Sequence, residues 1–295
     1  MSAVFGTPLC ELPKVDRPAL LISDLHVPAD GGEVLARLDG VLAAAQKLGA
    51  RLFVLGDLFD SYVCRAQARV GIWRTVAERF AAAVAGGIEI HLLRGNRDFL
   101  LGEEFVALSR VHMVPGGFLV ALAGRATVLL HGDELCRNDL PYQRAKRWLR
   151  HPVTRWLARR LPVAVALRVA ERARQRSQRV IMGGDQTRFL PTQAALATAL
   201  AVGAEQVIFG HIHRHATGLV GTGEVGTGEV GTGEVGTSQV GLGGAGRGRY
   251  WVLPAFDAAG IGLLADGAGL RAVRFSGAAG ELEPVPDPGP CPFPA

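Results

Sequence analysis

Leu52-Phe53-Val54-Leu55-Gly56-Asp57-Leu58-Phe59 is an unbroken apolar run that stops at a glycine and an aspartate. Continuous apolarity over four residues fits a strand buried on both faces, as in a parallel sheet covered by helices. The same arrangement recurs along the chain. Residues 19–23 run into Asp24-Leu25-His26, and 88–93 into Gly95-Asn96-Arg97-Asp98. Residues 127–130 run into His131-Gly132-Asp133, and 206–209 into Gly210-His211-Ile212-His213. A further strand is expected over 118–122, and helices over 33–48, 66–85, 103–108 and 192–202. Strand–helix alternation of this kind implies a layered α/β fold. Closing strands are expected over 250–253, 261–264 and 270–275.

The chain has 295 residues, 48% hydrophobic and 20% charged, with 39 Gly and 16 Pro, which excludes a disordered chain and a coiled coil. A chain of this length buries enough surface to stand without disulfides, and a single domain over 1–295 is expected. The four cysteines, Cys10, Cys64, Cys136 and Cys291, make no CxxC pair, which suits free thiols in a reducing compartment. The first ten residues carry no Lys or Arg ahead of an apolar core, so no secretory leader is expected. No apolar run reaches the ~18 residues of a spanning helix. A cytoplasmic protein is expected.

From Gly221 the chain reads Gly-Thr-Gly-Glu-Val three times, then Gly-Thr-Ser-Gln-Val. Such sequence cannot offset its own ordering entropy by burial, so 220–246 reads as a low-complexity loop. The Pro-rich tail, 284–295, is expected to be disordered.

Carboxyl ends of strands are where open α/β sheets gather ligands. Convergence of these five ends brings Asp24, His26, Asp57, Asn96, His131, His211 and His213 together. Carboxylate oxygens and imidazole nitrogens without cysteine suit a pair of borderline divalent ions rather than a structural zinc cage. Asp57 is the natural bridge, since one carboxylate has two oxygens to share. Two ions ~3.5–4 Å apart can activate a water and neutralise a phosphoryl group. A lone Asp-x-His or His-x-His is more often a capped turn; five such endings in order are not. His91 reads instead as a packed strand residue, and His151 as a surface residue.

The formal charge of +5 is unevenly spread. Between Arg144 and Arg179 there are twelve basic residues and one acidic, a local +11 that leaves 20 basic against 26 acidic, or −6, elsewhere. Nucleic acid is therefore not the implied partner. Trp148, Trp156, Leu157, Leu161, Val165 and Val169 are interleaved with those arginines, as on an interfacial helix facing anionic lipid. Pro162 should break the helical stretch that begins near Leu140 and resumes near Val163.

The order of motifs resembles the calcineurin-like metallophosphoesterase superfamily, and the likeness spans about residues 20–260. It implies a four-layer αββα sandwich with two mostly parallel sheets. One metal site would take Asp24, His26, Asp57 and His213; the other would take Asp57, Asn96, His131 and His211. Many members place His after the motif Asn to protonate the leaving group. Here Arg97 stands there, which cannot act as an acid near neutral pH but can clamp phosphate. Gly95-Asn96-Arg97-Asp98-Phe99-Leu100-Leu101-Gly102, Gly56-Asp57-Leu58-Phe59, His131-Gly132-Asp133-Glu134-Leu135-Cys136 and Asp139…Tyr142-Gln143 resemble the UDP-2,3-diacylglucosamine pyrophosphatase family of lipid A biosynthesis.

That resemblance implies metal-activated water attacking the α-phosphate of UDP-2,3-diacylglucosamine, with UMP and 2,3-diacylglucosamine 1-phosphate as products. It implies two divalent ions, Mn²⁺ by family habit, with Asp57, Asn96 and Arg97 at the chemistry. It further implies a basic helical lid over 139–190 and substrate contacts from Asn96, Arg97, Asp139, Tyr142, Arg174, Ser177 and His211. The expected location is peripheral, on the cytoplasmic face of the inner membrane, with an anionic membrane surface as partner and no protein partner evident. The chain departs from the family after Phe59, where Asp60-Ser61-Tyr62-Val63-Cys64-Arg65 replaces an acidic stretch, and after Ser177, where the usual lysines are missing. Two alternatives stand beside this reading: a related enzyme acting on another phosphorylated lipid or nucleotide, and a non-catalytic membrane-binding scaffold.

Overall fold

The computed structural model describes residues 2–14, 16–149, 151–182, 186–220, 248–276, 279–291 and 293–294; the side chains of 173–174, 176–182 and 186 lie outside the described set. The chain opens with strands β1 (Ala3–Val4) and β2 (Thr7–Glu11). Three strand–helix units follow: β3 (Ala19–Ile22) with α1 (Gly32–Leu48), β4 (Arg51–Val54) with α2 (Gly71–Ala85), and β5 (Ile90–Leu92) with α3 (Glu103–Ser109). Next come β6 (His112–Met113), β7 (Gly117–Leu122) and β8 (Arg125–Leu129). Helices α4 (Leu140–Leu149), α5 (Pro152–Arg159) and α6 (Val163–Met182) separate β8 from α7 (Gln193–Leu200) and β9 (Gln206–Phe209). The chain ends through β10 (Ala216–Val220), β11 (Gly248–Val252), α8 (Phe256–Ala259), β12 (Ile261–Asp266), β13 (Gly269–Ser276) and β14 (Glu281–Pro284).

Two seven-stranded sheets form, ordered β14-β13-β12-β3-β4-β5-β6 and β1-β2-β7-β8-β9-β11-β10. Side chains alternate between faces along a strand, and that alternation builds three cores. In β3 and β4, Leu20, Ile22, Leu52 and Val54 pack under α1 and α2, while Leu21 and Phe53 point into the space between the sheets. In β9 and β11, Val207, Phe209, Tyr250 and Val252 pack with Leu196 and Leu200 of α7, while Ile208 and Trp251 meet Leu21 and Phe53 between the sheets. Helix, sheet, sheet and helix therefore stack as the family resemblance implied. The sheets are not mostly parallel, however. β3, β4, β5 and β6 run parallel, but β12, β13 and β14 flank them antiparallel, and β1–β2, β7–β8 and β10–β11 are antiparallel pairs in the other sheet. Short turns suffice to join β1–β2, β7–β8 and β12–β13, whereas parallel pairs need crossovers, and β10 and β11 pair across the stretch 221–247.

Other expectations are corrected. The helix expected over 66–85 divides into a 3₁₀ turn (Arg65–Arg69) and α2, because Val70 is extended and Gly71 takes φ +50°. A second break precedes Pro152, which starts α5 at the position proline favours, with His151 Nδ1 accepting from Val153 N. The tail after Pro284 is packed rather than disordered where described. Phe293 lies 5.0 Å from the Tyr250 ring, the Tyr250 hydroxyl donates to Cys291 O at 3.1 Å and accepts from Cys291 N at 3.0 Å, and Gln193 N donates to Pro294 O. Of the low-complexity segment, Val220 ends β10 opposite Gly248 of β11, and 221–246 lie outside the described residues.

None of the described residues of α4 or α5 is buried. Ala158, Val163 and Leu167 pack against the first core, and Arg159 pairs with Glu104 of α3 at 2.7 Å. Among the described residues no helix is long and apolar enough to cross a membrane.

Candidate metal centre

β3, β4 and β5 of one sheet and β8 and β9 of the other end at the same edge of the sandwich, and the loops leaving them are tied together through the main chain. Asp24 N donates to Gly56 O, His26 N to Asp57 O, and Gly210 N to His131 O, at 2.8–3.2 Å. Each turn is tight. Asp24, His26, Asp57, His211 and His213 all hold left-handed backbone, with φ between +45° and +68°. Each such residue costs on the order of 1–3 kcal/mol and persists where the surroundings over-determine it, as at functional sites. Gly56, Gly95 and Gly210 leave no room for a side chain, the last because its Cβ would overlap the Asp24 carboxylate. A Cβ on Gly56, at φ +98°, would sit 2.7 Å from His131 Nδ1, and one on Gly95 would overlap the Asp57 carboxylate.

All seven side chains expected at the site come together. His213 Nε2 lies 3.3 Å from Asp24 Oδ1, and His26 Nε2 lies 3.4 Å from Asp57 Oδ2 and 3.9 Å from Asp24 Oδ1. On the far side of Asp57, His131 Nε2 is 3.8 Å from Oδ1. Asn96 Oδ1 lies 2.9 Å from His131 Nε2 and 3.0 Å from His211 Nδ1. Asp24 and Asp57 are buried, and the ligand atoms of Asp24, His26 and His213, and of Asp24, Asp57 and His131, fall within 4.8 Å of one another.

The residues fit a divalent cation on a direct observation: Asp24 Oδ1 and His26 Nε2 are buried and make no hydrogen bond, yet face the same space. Buried polar atoms are rarely left so. The electrostatics agree. Burial opposes ionisation of Asp24, but the imidazoles of His213, His131 and His26 outweigh it and hold the carboxyl well below its usual range. Burial likewise opposes charging of His131, and Asp57, Asp24, Asp133 and Glu134 overcome it, raising that imidazole to about 9. His26 is also raised to about 9, its burial outweighed by Asp257 and Asp57. The carboxylates around His26 and His131 make that part of the pocket one of negative potential, suited to cations, while burial and then the neighbouring His131 lower His211 to about 4.

Arg97 stands at the mouth. Its backbone N–H donates to Asp57 Oδ1 at 2.8 Å, its Nη1 to Asp60 at 2.7 Å, and its Nε lies 3.6 Å from Asp57 Oδ2. An open cleft of about 490 Å³ begins there, lined by His26, Asp60, Arg97, His213 and Asp257 among others. Asp139 and Tyr142 open α4: Asp139 Oδ1 accepts from Tyr142 N at 3.2 Å, and the Tyr142 hydroxyl donates to Asp133 at 2.6 Å. The Tyr142 ring is 6.3 Å from that of His211. Arg174 and Ser177 fall on α6 where side chains lie outside the described residues.

Three carboxylates escaped the sequence reading. Asp98 accepts from Leu58 N at 2.8 Å and Gly95 N at 2.7 Å, latching the Asp57 loop to the Asn96 loop; burial and the neighbouring Asp57 push it up to about 6. Asp133 pairs with Lys146 at 2.6 Å beneath α4. Asp257 meets His26 from α8. Asp98 and Asp133 sit inside the quoted motifs and carried a local signal; Asp257 follows the closing strand with no spacing to mark it.

Several relatives align over about two thirds of the chain. The UDP-2,3-diacylglucosamine hydrolase of Pseudomonas aeruginosa is 32% identical over 204 residues, 67% of this chain and 82% of the relative. That of Nitrosococcus oceani is 37% identical over 197 residues, 66% and 78% respectively, and that of Edwardsiella ictaluri is 33% identical over 198 residues, 67% and 76%. Residues 17–215, a span holding every side chain of the seven-residue cluster, match the model of the calcineurin-like phosphoesterases, and the chain belongs to that family.

Proposed function

We propose that this enzyme hydrolyses the pyrophosphate bond of UDP-2,3-diacylglucosamine. Water adds to the α-phosphorus, the bond from that phosphorus to the bridging oxygen breaks, and UMP and 2,3-diacylglucosamine 1-phosphate leave. The observation that carries the reading is Arg97 beside Asn96 at the mouth of the cluster. The names of relatives up to 37% identical support the same substrate.

Asp24, His26, Asp57 and His213 would hold one divalent ion, and Asp57, Asn96, His131 and His211 a second, with Mn²⁺ as the ion. When bound, such a pair supplies an activated water and neutralises charge on the phosphoryl oxygens. Arg97 offers more N–H donors than its contacts to Asp57 and Asp60 use, so it clamps a phosphoryl oxygen without giving up a proton. No acid is required at the bridging oxygen, because the departing sugar phosphate is a stable anion. Asn96 and His211 face the same group.

Asp139, Tyr142, Arg174 and Ser177 are assigned to the acylated sugar, under a lid formed by α4, α5 and α6. Trp148 is 70% exposed, and Trp156 and Leu157 each 56%. Interleaved with arginines, these side chains suit the boundary of an anionic bilayer, which supports a peripheral position at the cytoplasmic face of the inner membrane. The test is turnover of UDP-2,3-diacylglucosamine against a model phosphodiester in Mn²⁺. UMP release from the lipid is expected; cleavage of the diester alone would point to a different phosphoesterase substrate.

A further inference from the structure

We propose that Asp257 is a positioning residue for the metal centre: it fixes which nitrogen of His26 faces the ions. Asp257 Oδ2 lies 3.1 Å from His26 Nδ1. An ionised carboxylate only accepts hydrogen bonds, so Nδ1 carries a hydrogen whether the ring is charged or neutral, and in the neutral ring that would ligate a metal the lone pair stands on Nε2. That Nε2 is the buried atom with no hydrogen bond, facing Asp57 Oδ2 at 3.4 Å. A carboxylate behind a metal-ligating histidine fixes its tautomer and ring orientation and raises its basicity.

Asp257 is itself held. α8 is clipped to the loop it serves: Phe256 N donates to Asp24 O at 3.0 Å and to Ser23 O at 3.2 Å. Phe256 is fully buried and meets the Phe275 ring edge-on. From α1, Arg37 Nη1 donates to the Asp257 carbonyl while Nη2 reaches Glu33. The other imidazoles are oriented differently. His131 Nδ1 faces Leu55 O at 2.9 Å, a main-chain acceptor, and His211 Nδ1 faces Asn96. His26 is thus the member of the cluster oriented by a carboxylate from the far end of the chain, beyond the 17–215 span of the family match.

This inference rests on His26 being a metal ligand, and its test separates the two. Mn²⁺ stoichiometry and affinity are measured on the full-length wild type, Asp257→Asn and Asp257→Ala, with the His26 tautomer read by long-range ¹H–¹⁵N NMR of the Zn²⁺-loaded proteins. The Asp257 side chain is 38% exposed, and circular dichroism confirms folding of each variant. Asp257→Ala is expected to lower Mn²⁺ affinity about 10–100-fold and to lose the Nδ1–H form. Asp257→Asn, whose amide oxygen still accepts, should recover most of both. Wild-type protein that binds Mn²⁺ with an Asp257→Ala variant of equal affinity and unchanged tautomer overturns the role of Asp257 alone. Wild-type protein that fails to bind Mn²⁺ overturns the metal reading together with it.

Discussion

The backbone N–H of Arg97 donates to Asp57 Oδ1 at 2.8 Å, so the carboxylate between the two groups of imidazoles and the arginine at the cleft mouth share one main-chain arrangement. Moving either moves the other. The close approach exists because Gly95 has no side chain where Asp57 Oδ1 sits.

Asp57→Ala is expected to reduce turnover by at least about a hundredfold and to lower metal content, since charge stabilisation at the reacting group is lost. Gly95→Ala should act the same way by displacing Asp57. Steady-state kinetics with metal analysis check both, and activity within tenfold of wild type would remove Asp57 from the centre.

Arg97→Ala should leave metal content unchanged and weaken phosphate binding. A hydrogen bond to a charged group contributes about 1.5–3 kcal/mol, so kcat/KM should fall roughly 10- to 100-fold. Arg97→Lys should recover only part, lacking the bidentate fork. Unaltered kcat and KM would end the clamp role.

The site was legible in the sequence because buried parallel strands are continuous apolar runs, so the first polar residues after 52–55 or 206–209 stand out. Asp257 was not, because it reaches His26 across 231 positions of chain and Leu253-Pro254-Ala255-Phe256 separates it from the end of β11 at Val252. The tail was misjudged for a related reason. Proline-rich composition argues disorder, but Phe293 packs on Tyr250, Cys291 hydrogen-bonds the Tyr250 hydroxyl and Pro294 accepts from Gln193 N, and composition does not register individual contacts. Gly71 in a helical stretch reads as tolerated until its left-handed φ ends the preceding turn.

Phe293→Ala should therefore cost about 3 kcal/mol, the lower end for a buried phenylalanine. Urea denaturation measures it. A change under about 0.5 kcal/mol, the range of ordinary surface substitutions, would show that the tail does not contribute to stability.

The acid limb of stability has a named contributor. His91 Nε2 lies 2.6 Å from Glu89 Oε1, which the neutral ring already satisfies, and Nδ1 is buried with no hydrogen-bond partner. Burial first, then His112, Arg51 and Arg17, lower its pKa to about 3 from 6.5. The folded form therefore resists the proton that the unfolded chain accepts, and stability is lost as pH falls from 6.5 towards 3. Relative to His91→Phe, wild type should lose about 2 kcal/mol between neutral pH and pH 5. Parallel pH profiles of the two proteins would contradict this.

Attack of water at the α-phosphorus of UDP-2,3-diacylglucosamine determines which product takes up the solvent oxygen. It is tested most directly by turnover with Mn²⁺ in H₂¹⁸O, with both products analysed by mass spectrometry. One ¹⁸O in UMP and none in 2,3-diacylglucosamine 1-phosphate is the expected result; label in the sugar phosphate, or no UMP at all, would contradict it.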